Sequence, residues 1–427
     1  MATEPQSAYV WSWLPGATEP VVAGVLAPRP EGGIRFAYRQ SYLQGAGISL
    51  YEPELPLRSG WQSPGGVELP GCIDDAAPDA WGRRVIAARL LGRGVGGEDL
   101  GTLRSLLESG SDRIGALDFQ SSETAYAPRS LGEAPLNVLM EAAELVDQGA
   151  LLPPALDLAL LHGTSVGGAR PKALLKDDSG RNLIAKFSSS TDHYKVVKGE
   201  FIAMELAHRV GLNVASVEFC EVMDRDVLLI ERFDRPSGGA RLGMVTAKTI
   251  LGLYGWQSAP AASYERFADQ VRKRFVAADA TLHELFARIV FNILTGNTDD
   301  HARNHSAFWD GANLRLTPAY DICPQPRSGG EASQAMEIAS GDRRSALDVC
   351  MQNAHIYHLN QADARTVIDR QVETIISEWI NVCDVAHAGE ADREYFWGRQ
   401  FLNRSVFEDY GTWPLIRTVA GTPTATV

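Results

Sequence analysis

The chain has 427 residues, 45% of them apolar, which is enough for two domains or one large two-lobed enzyme with a substantial core. Its 40 Lys and Arg against 53 Asp and Glu leave a formal charge of -13, which excludes holding nucleic acid through an overall positive field. Five scattered cysteines (Cys72, Cys220, Cys323, Cys350, Cys383) with no CxxC pair exclude a disulfide framework or a thiolate zinc site. The opening Met1-Ala2-Thr3-Glu4-Pro5 has no signal-peptide character and no run of about 18 apolar residues occurs, so the expectation is a cytoplasmic protein without a membrane span.

Up to about residue 120, short apolar runs such as Val21 to Leu26 and Ile34 to Tyr38 alternate with Gly and Pro, which predicts a small strand-rich unit. One helix interrupts it, starting at Pro78-Asp79-Ala80-Trp81 and running through Leu91. Ser121 to Leu136 is the linker candidate, with a helix from about Asn137 to Gln148. Between 165 and 235 the pattern predicts β-β-α-β-β: Ala173–Leu175, Asn182–Phe187, a helix near Val196–Val210, Ser216–Cys220 and Asp226–Glu231. Beyond Phe267 helical spacing dominates, through Leu282–Leu294 and Ala364–Val382. The expected fold is therefore α+β, in two kinase-like lobes: residues 1–120 as an N-terminal subdomain, 121–235 as the rest of the strand-rich lobe and 236–427 as a helical lobe.

Phosphoryl transfer from ATP needs an aligner or base for the acceptor hydroxyl, metal ligands, a cation on the phosphates and a pliant loop over them. The segment Gly296-Asn297-Thr298-Asp299-Asp300-His301-Ala302-Arg303-Asn304 closes an apolar helix in a polar cluster. Asp299 and Asn304 have the spacing of a kinase catalytic Asp and its magnesium-binding Asn. Asp300 competes, but five positions on it meets His305, and neutral imidazole is a poor ligand for hard magnesium. Seventeen residues past Asn304, the run Leu314 to Ile322 reads as a short strand ending in Asp321, the second metal-ligand candidate.

Upstream, Lys186 sits inside an apolar strand, which is costly unless its ammonium finds an anion such as ATP phosphate, and Glu200 on the next helix is placed to hold it. Leu228 to Asp234 runs from a strand toward a Pro/Gly loop where an interlobe hinge would meet adenine. The loop around Gly167 and Gly168 lets backbone amides approach phosphates, though it has neither P-loop nor GxGxxG spacing. Singly, each feature has an ordinary structural explanation: a cap or turn for Asp299 to Asn304, a turn for Asp321, a snorkelling side chain for Lys186. Their order along the chain is what points to a kinase. A zinc peptidase is excluded because His283-Glu284 has Ala287 where the second His of HExxH would stand.

These residues resemble the HipA family of bacterial serine/threonine kinases, toxins of type II toxin-antitoxin pairs. The resemblance is carried by Ser165 to Lys172, the Lys186 strand with Asp192-His193, Glu231-Arg232-Phe233-Asp234-Arg235, Gly296 to Asn304, Pro318 to Asp321 and, near the N-terminus, Ser111 to Leu117. It implies an ATP- and Mg2+-dependent kinase with Asp299 catalytic, Asn304 and Asp321 as metal ligands, and Lys186, Gly167, Gly168, Glu231, Phe233 and Asp234 around ATP. It also implies autophosphorylation at Ser165 that expels the glycine loop and switches the enzyme off. A protein substrate, in some members an aminoacyl-tRNA synthetase, and a helix-turn-helix antitoxin of the HipB type are the implied partners, with nucleic acid reached only through the antitoxin. Two other readings stand beside it: a small-molecule phosphotransferase of the aminoglycoside type, and an inactive co-repressor that binds the antitoxin.

Overall fold

The computed structural model describes residues 4–64, 67–91, 100–129, 135–147, 170–189, 192–254, 261–327 and 329–410. The chain first forms β1 (Ala8–Ser12), β2 (Val21–Pro28), β3 (Ile34–Tyr38), the short helices α1 (Gln40–Gln44) and α2 (Gly71–Asp74), then α3 (Ala80–Leu91), α4 (Thr102–Glu108), β4 (Leu117–Gln120) and α5 (Leu136–Asp147). Next come β5 (Lys172–Lys176), β6 (Asn182–Phe187), α6 (Val196–Arg209), β7 (Val217–Val222), β8 (Arg225–Glu231), β9 (Met244–Thr246) and α7 (Ala247–Ile250). The remainder is α8 (Tyr264–Arg274), α9 (Ala278–Leu294), β10 (Ser306–Trp309), β11 (Leu314–Leu316), α10 (Leu347–Gln352), α11 (Gln361–Val385) and α12 (Glu390–Phe396). This is the expected α+β class.

Two compact units result, neither continuous in sequence: Met1–Asp192 with Cys220–Gly255 and Ser306–Leu314, and His193–Phe219 with Trp256–His305 and Arg315–Val427. In the first unit, one antiparallel sheet has the order β3-β2-β1-β4. Its alternation puts Val10, Ala23, Leu26, Phe36 and Phe119 inside. A second sheet, in the order β5-β6-β8-β7, turns Ala173, Ala185, Phe187 and Val227 onto α3 and α5, where they meet Trp81, Val85, Leu139, Met140 and Ala143. The helix start read at Pro78-Asp79 is a side-chain cap, with Asp79 accepting from Gly82 N at 2.8 Å.

The second unit is built on α9 and α11. Leu285, Phe286, Ile289, Ile293, Ile368, Val372, Ile375 and Trp379 recur on helical spacing and are fully buried or nearly so. The structure differs from the sequence expectation in two places. The N-terminal region holds α1, α2 and α4 besides α3, and these short helices lack a periodic pattern long enough to read. The strand expected to end at Asp321 stops at Leu316, because Pro318 cannot donate to a ladder, and the chain continues through a bridge between Ala319 and Val214.

Candidate active site

In the second unit, α9 carries the apolar run Phe291-Asn292-Ile293-Leu294 to a C-cap at Thr295. Gly296 then takes φ +68°, the left-handed conformation that ends helices and favours glycine. A Cβ there would stand 2.7 Å from the Gln400 carbonyl oxygen, so the position is closed to side chains on both counts. The polar loop beyond is braced by backbone bonds from Asn297 N to Asn292 O (2.8 Å), Gln325 N to Gly296 O (3.0 Å) and Ala335 N to Thr298 O (2.9 Å).

Within that loop the two adjacent aspartates have opposite environments. Asp300 is 3% exposed, and its Oδ2 accepts from Asn292 Nδ2 at 2.7 Å and from the Tyr264 hydroxyl, while His305 Nε2 lies 2.9 Å away. Burial would raise its pKa, but the charge and hydrogen bond of His305 and the hydrogen bond from Tyr264 prevail and hold it below the usual carboxylate range. Asp299 instead reaches solvent. Partial desolvation raises its pKa, and the Asp321 and Asp300 carboxylates add to the shift against an opposing pull from His301.

Asn304, nearly buried, turns its amide nitrogen to the Asp321 backbone carbonyl at 3.4 Å, which leaves its oxygen on the other side. Asp321 itself adopts φ +60°, a strained conformation for a non-glycine residue of the kind that gathers at functional sites. The Tyr320 hydroxyl donates to Arg303 O at 2.6 Å, tying the Asp321 segment to the loop a second time. The structure thus brings Asp299, Asn304 and Asp321 together. Among the described residues no three or more His, Cys, Asp or Glu side chains are arranged to hold a metal by themselves. The hard oxygens of Asn304 and Asp321 suit magnesium, which commonly takes one or two protein oxygens and completes its shell with phosphate and water.

In the first unit, Lys186 lies on β6 opposite Lys172 on β5 and Leu228 on β8, on the face turned away from the apolar core. Two lysines in register repel. Lys172, 1% exposed, resolves this by pairing with Asp79 at 3.2 Å, while Lys186 remains half-exposed. Glu231 and Phe233 follow at the end of β8, and Arg232 N donates to Asn182 O at 2.9 Å, which extends the sheet pairing by one residue. Asp234, expected beside ATP, has its carboxylate engaged elsewhere: it accepts from Gly115 N at 2.8 Å and pairs with Arg232 and Arg235, each at 2.9 Å. Burial would raise its pKa, but the two guanidiniums hold it far below the ordinary value. Glu200, on α6 in the second unit, is 1% exposed. Ser165, Gly167 and Gly168 lie outside the described residues.

Sequence reasoning gave no role to Asn292 or Tyr264, took Asn297 and Lys172 only as motif members, and weighed His305 only as a poor magnesium ligand. A readable signal existed for Asn292, since an amide inside an apolar helical run must find a partner. Tyr264, 36 residues before Asp300, left no such trace.

Residues 164–383 match the family model of the HipA-like C-terminal domain, and residues 17–120 match that of the HipA N-terminal domain. The chain belongs to the HipA family. Among the relatives of this HipA-family protein is the serine/threonine-protein kinase toxin HipA of Shewanella oneidensis, 26% identical over 183 residues that cover 37% of this chain and 42% of that one. The match therefore spans less than half of that toxin's length. Y4dM of Sinorhizobium fredii, provisionally named a kinase, is 23% identical over 376 residues, 84% of this chain and 87% of its own. In a solved structure of the Shewanella oneidensis toxin-antitoxin system, with HipA, HipB and operator DNA, one chain aligns over 93% of this one and 99% of its own length, with a TM-score of 0.65 and 20% identity. At that identity the likeness is one of fold.

Proposed function

We propose that this HipA-family chain is a serine/threonine protein kinase that uses Mg2+ and ATP. The observation that carries the reading is the juxtaposition of Asp299 and Asn304, on one braced loop, with Asp321 on a segment tied to that loop twice. Bound MgATP supplies the γ-phosphoryl group and the cation that offsets its charge. Asp299, solvent-facing and with a raised pKa, aligns the acceptor hydroxyl and takes its proton. The Asn304 amide oxygen and the Asp321 carboxylate hold the cation, Lys186 faces the phosphates, and the backbone at Glu231 and Phe233 meets adenine. Gly167 and Gly168 cover the phosphates, and Ser165 is the site of self-phosphorylation.

The same reading makes the chain a toxin restrained by a small helix-turn-helix antitoxin of the HipB type, which links it to operator DNA. Its support is the family membership and the Shewanella complex of HipA, HipB and DNA. The target protein, an aminoacyl-tRNA synthetase in this proposal, accepts phosphate on Ser or Thr.

The test incubates purified chain with γ-labelled ATP, Mg2+ and a host protein fraction, with a metabolite fraction alongside. Label entering protein on Ser or Thr, lost by more than about a hundredfold in Asp299→Asn and in Asp321→Asn, is the expected result. Label confined to small molecules overturns the protein-kinase reading, and wild-type rates in either variant overturn the site. Mass spectrometry of the incubated chain reads Ser165 directly, and phosphate absent from an active enzyme removes self-inactivation.

A further inference from the structure

Resting on the nucleotide-hinge reading, we infer that Arg232, Asp234 and Arg235 are positioning residues for that hinge and that the N-terminal domain sets nucleotide affinity through them. Exposure alternates along this stretch: Glu231 and Phe233 are half-exposed, whereas Arg232 is 4% and Asp234 2% exposed. The strand ends at Glu231 and the chain turns at Phe233 and Asp234, so holding the buried side chains of Arg232 and Asp234 fixes the backbone of the turn that lies between and beside them.

The pins come from the loop 111–116. Asp234 Oδ2 accepts from Gly115 N at 2.8 Å, Arg232 Nη2 donates to Arg113 O at 2.6 Å, and Arg232 Nη1 lies 2.9 Å from Asp112 Oδ1. Arg235 donates to the same Asp112 oxygen from Nε at 3.0 Å and to Gly115 O from Nη1 at 2.9 Å. The loop is itself held from beneath, because Arg113, wholly buried, pairs with Asp118 at 2.9 Å and donates to Ala76 O and Leu106 O at 3.1 and 2.6 Å. Farther on, Arg241 donates to Ser111 O at 3.0 Å and stacks over the Trp13 ring at 3.6 Å.

Charges buried this deeply contribute little net stability compared with well-packed apolar residues, but they tolerate only the geometry that satisfies them. Here that geometry spans the region matching the N-terminal family model and the region matching the C-terminal one. A displacement of loop 111–116 therefore has to be answered at Arg232 and Asp234, and the hinge amides move with them. This gives Asp234 a part in nucleotide binding that acts through the backbone of its neighbours.

The deciding variant is Asp112→Asn, since the Asp112 side chain is 43% exposed and the change keeps its size while removing the charge that Arg232 and Arg235 share. Amide hydrogen exchange across residues 229–234 should rise, ATP affinity and KM should weaken about tenfold, within the usual range for coupled sites, and kcat should stay within about twofold. Asp112→Glu should restore all three toward wild type. Exchange at 229–234 unchanged in both Asp112→Asn and the folded fraction of Asp234→Asn overturns the inference. Lack of ATP binding by the wild type overturns the kinase reading instead, while the exchange result still decides whether loop 111–116 positions this segment.

Discussion

Asp299 and Asp300 are chemically identical neighbours that the tertiary structure has driven apart. Asp300 is the hub that Asn292, Tyr264 and His305 converge on, and Asp299 is left facing outward with a raised pKa. Replacing Asp300 with Ala strands these buried polar groups and should cost about 2 to 4 kcal/mol, read as a lowered urea midpoint. Asp299→Asn should leave that midpoint near wild type while removing transfer, so the two variants separate scaffold from chemistry. If Asp299 accepts the proton, activity requires its ionised form, and its raised pKa means that kcat begins to fall at a higher pH on acidification than an ordinary aspartate would allow. A pH profile of kcat flat through the acidic limb would contradict that part.

At the scale of elements, the joints carry more information than the helices and strands. Gly296 ends α9 in the left-handed region against the Gln400 carbonyl, so Gly296→Ala should destabilise by about 2 kcal/mol, measured by thermal unfolding, and loosen the loop that bears Asp299 and Asn304. A second joint ties α2 to β9, where Asp75 accepts from Thr246 N and from its hydroxyl, both at 2.8 Å. Burial pushes Asp75 up to about 6 despite these bonds. The folded state thus holds this proton more tightly than the unfolded chain does. Its contribution to stability is complete below about pH 4 and is lost as pH rises toward 6, by up to about 3 kcal/mol. Asp75→Asn should flatten that decline, so the wild-type-minus-variant difference in Tm between pH 4.5 and 7 is the quantity to measure. The same joints explain which elements were legible. β6 is seen at the bounds its apolar run predicts, and α6 within a residue of them, whereas the strand before Asp321 ended early because pairing, and not composition, decides where a short strand stops.

On the scale of the whole chain, the first unit takes its residues from three separate stretches, and buried polar bonds cross between them. Removing residues 1–120 takes away Asp75, Asp112, Arg113 and Gly115 and strips Arg232, Asp234 and Thr246 of the partners that this region supplies. We expect that deletion to give an insoluble or unfolded protein on size exclusion, where a self-sufficient kinase domain would elute as a folded monomer or oligomer. The sequence by itself determined the α+β class, the order of the main elements and the spacing of Asp299, Asn304 and Asp321, because periodicity, turn residues and motif distances are local properties. Only the tertiary structure decided which aspartate is buried, where the strand before Asp321 ends and what Asp234 touches. Those outcomes depend on partners such as Tyr264, Val214 and Gly115, which lie 36 to 119 residues away and leave no mark at the positions they control.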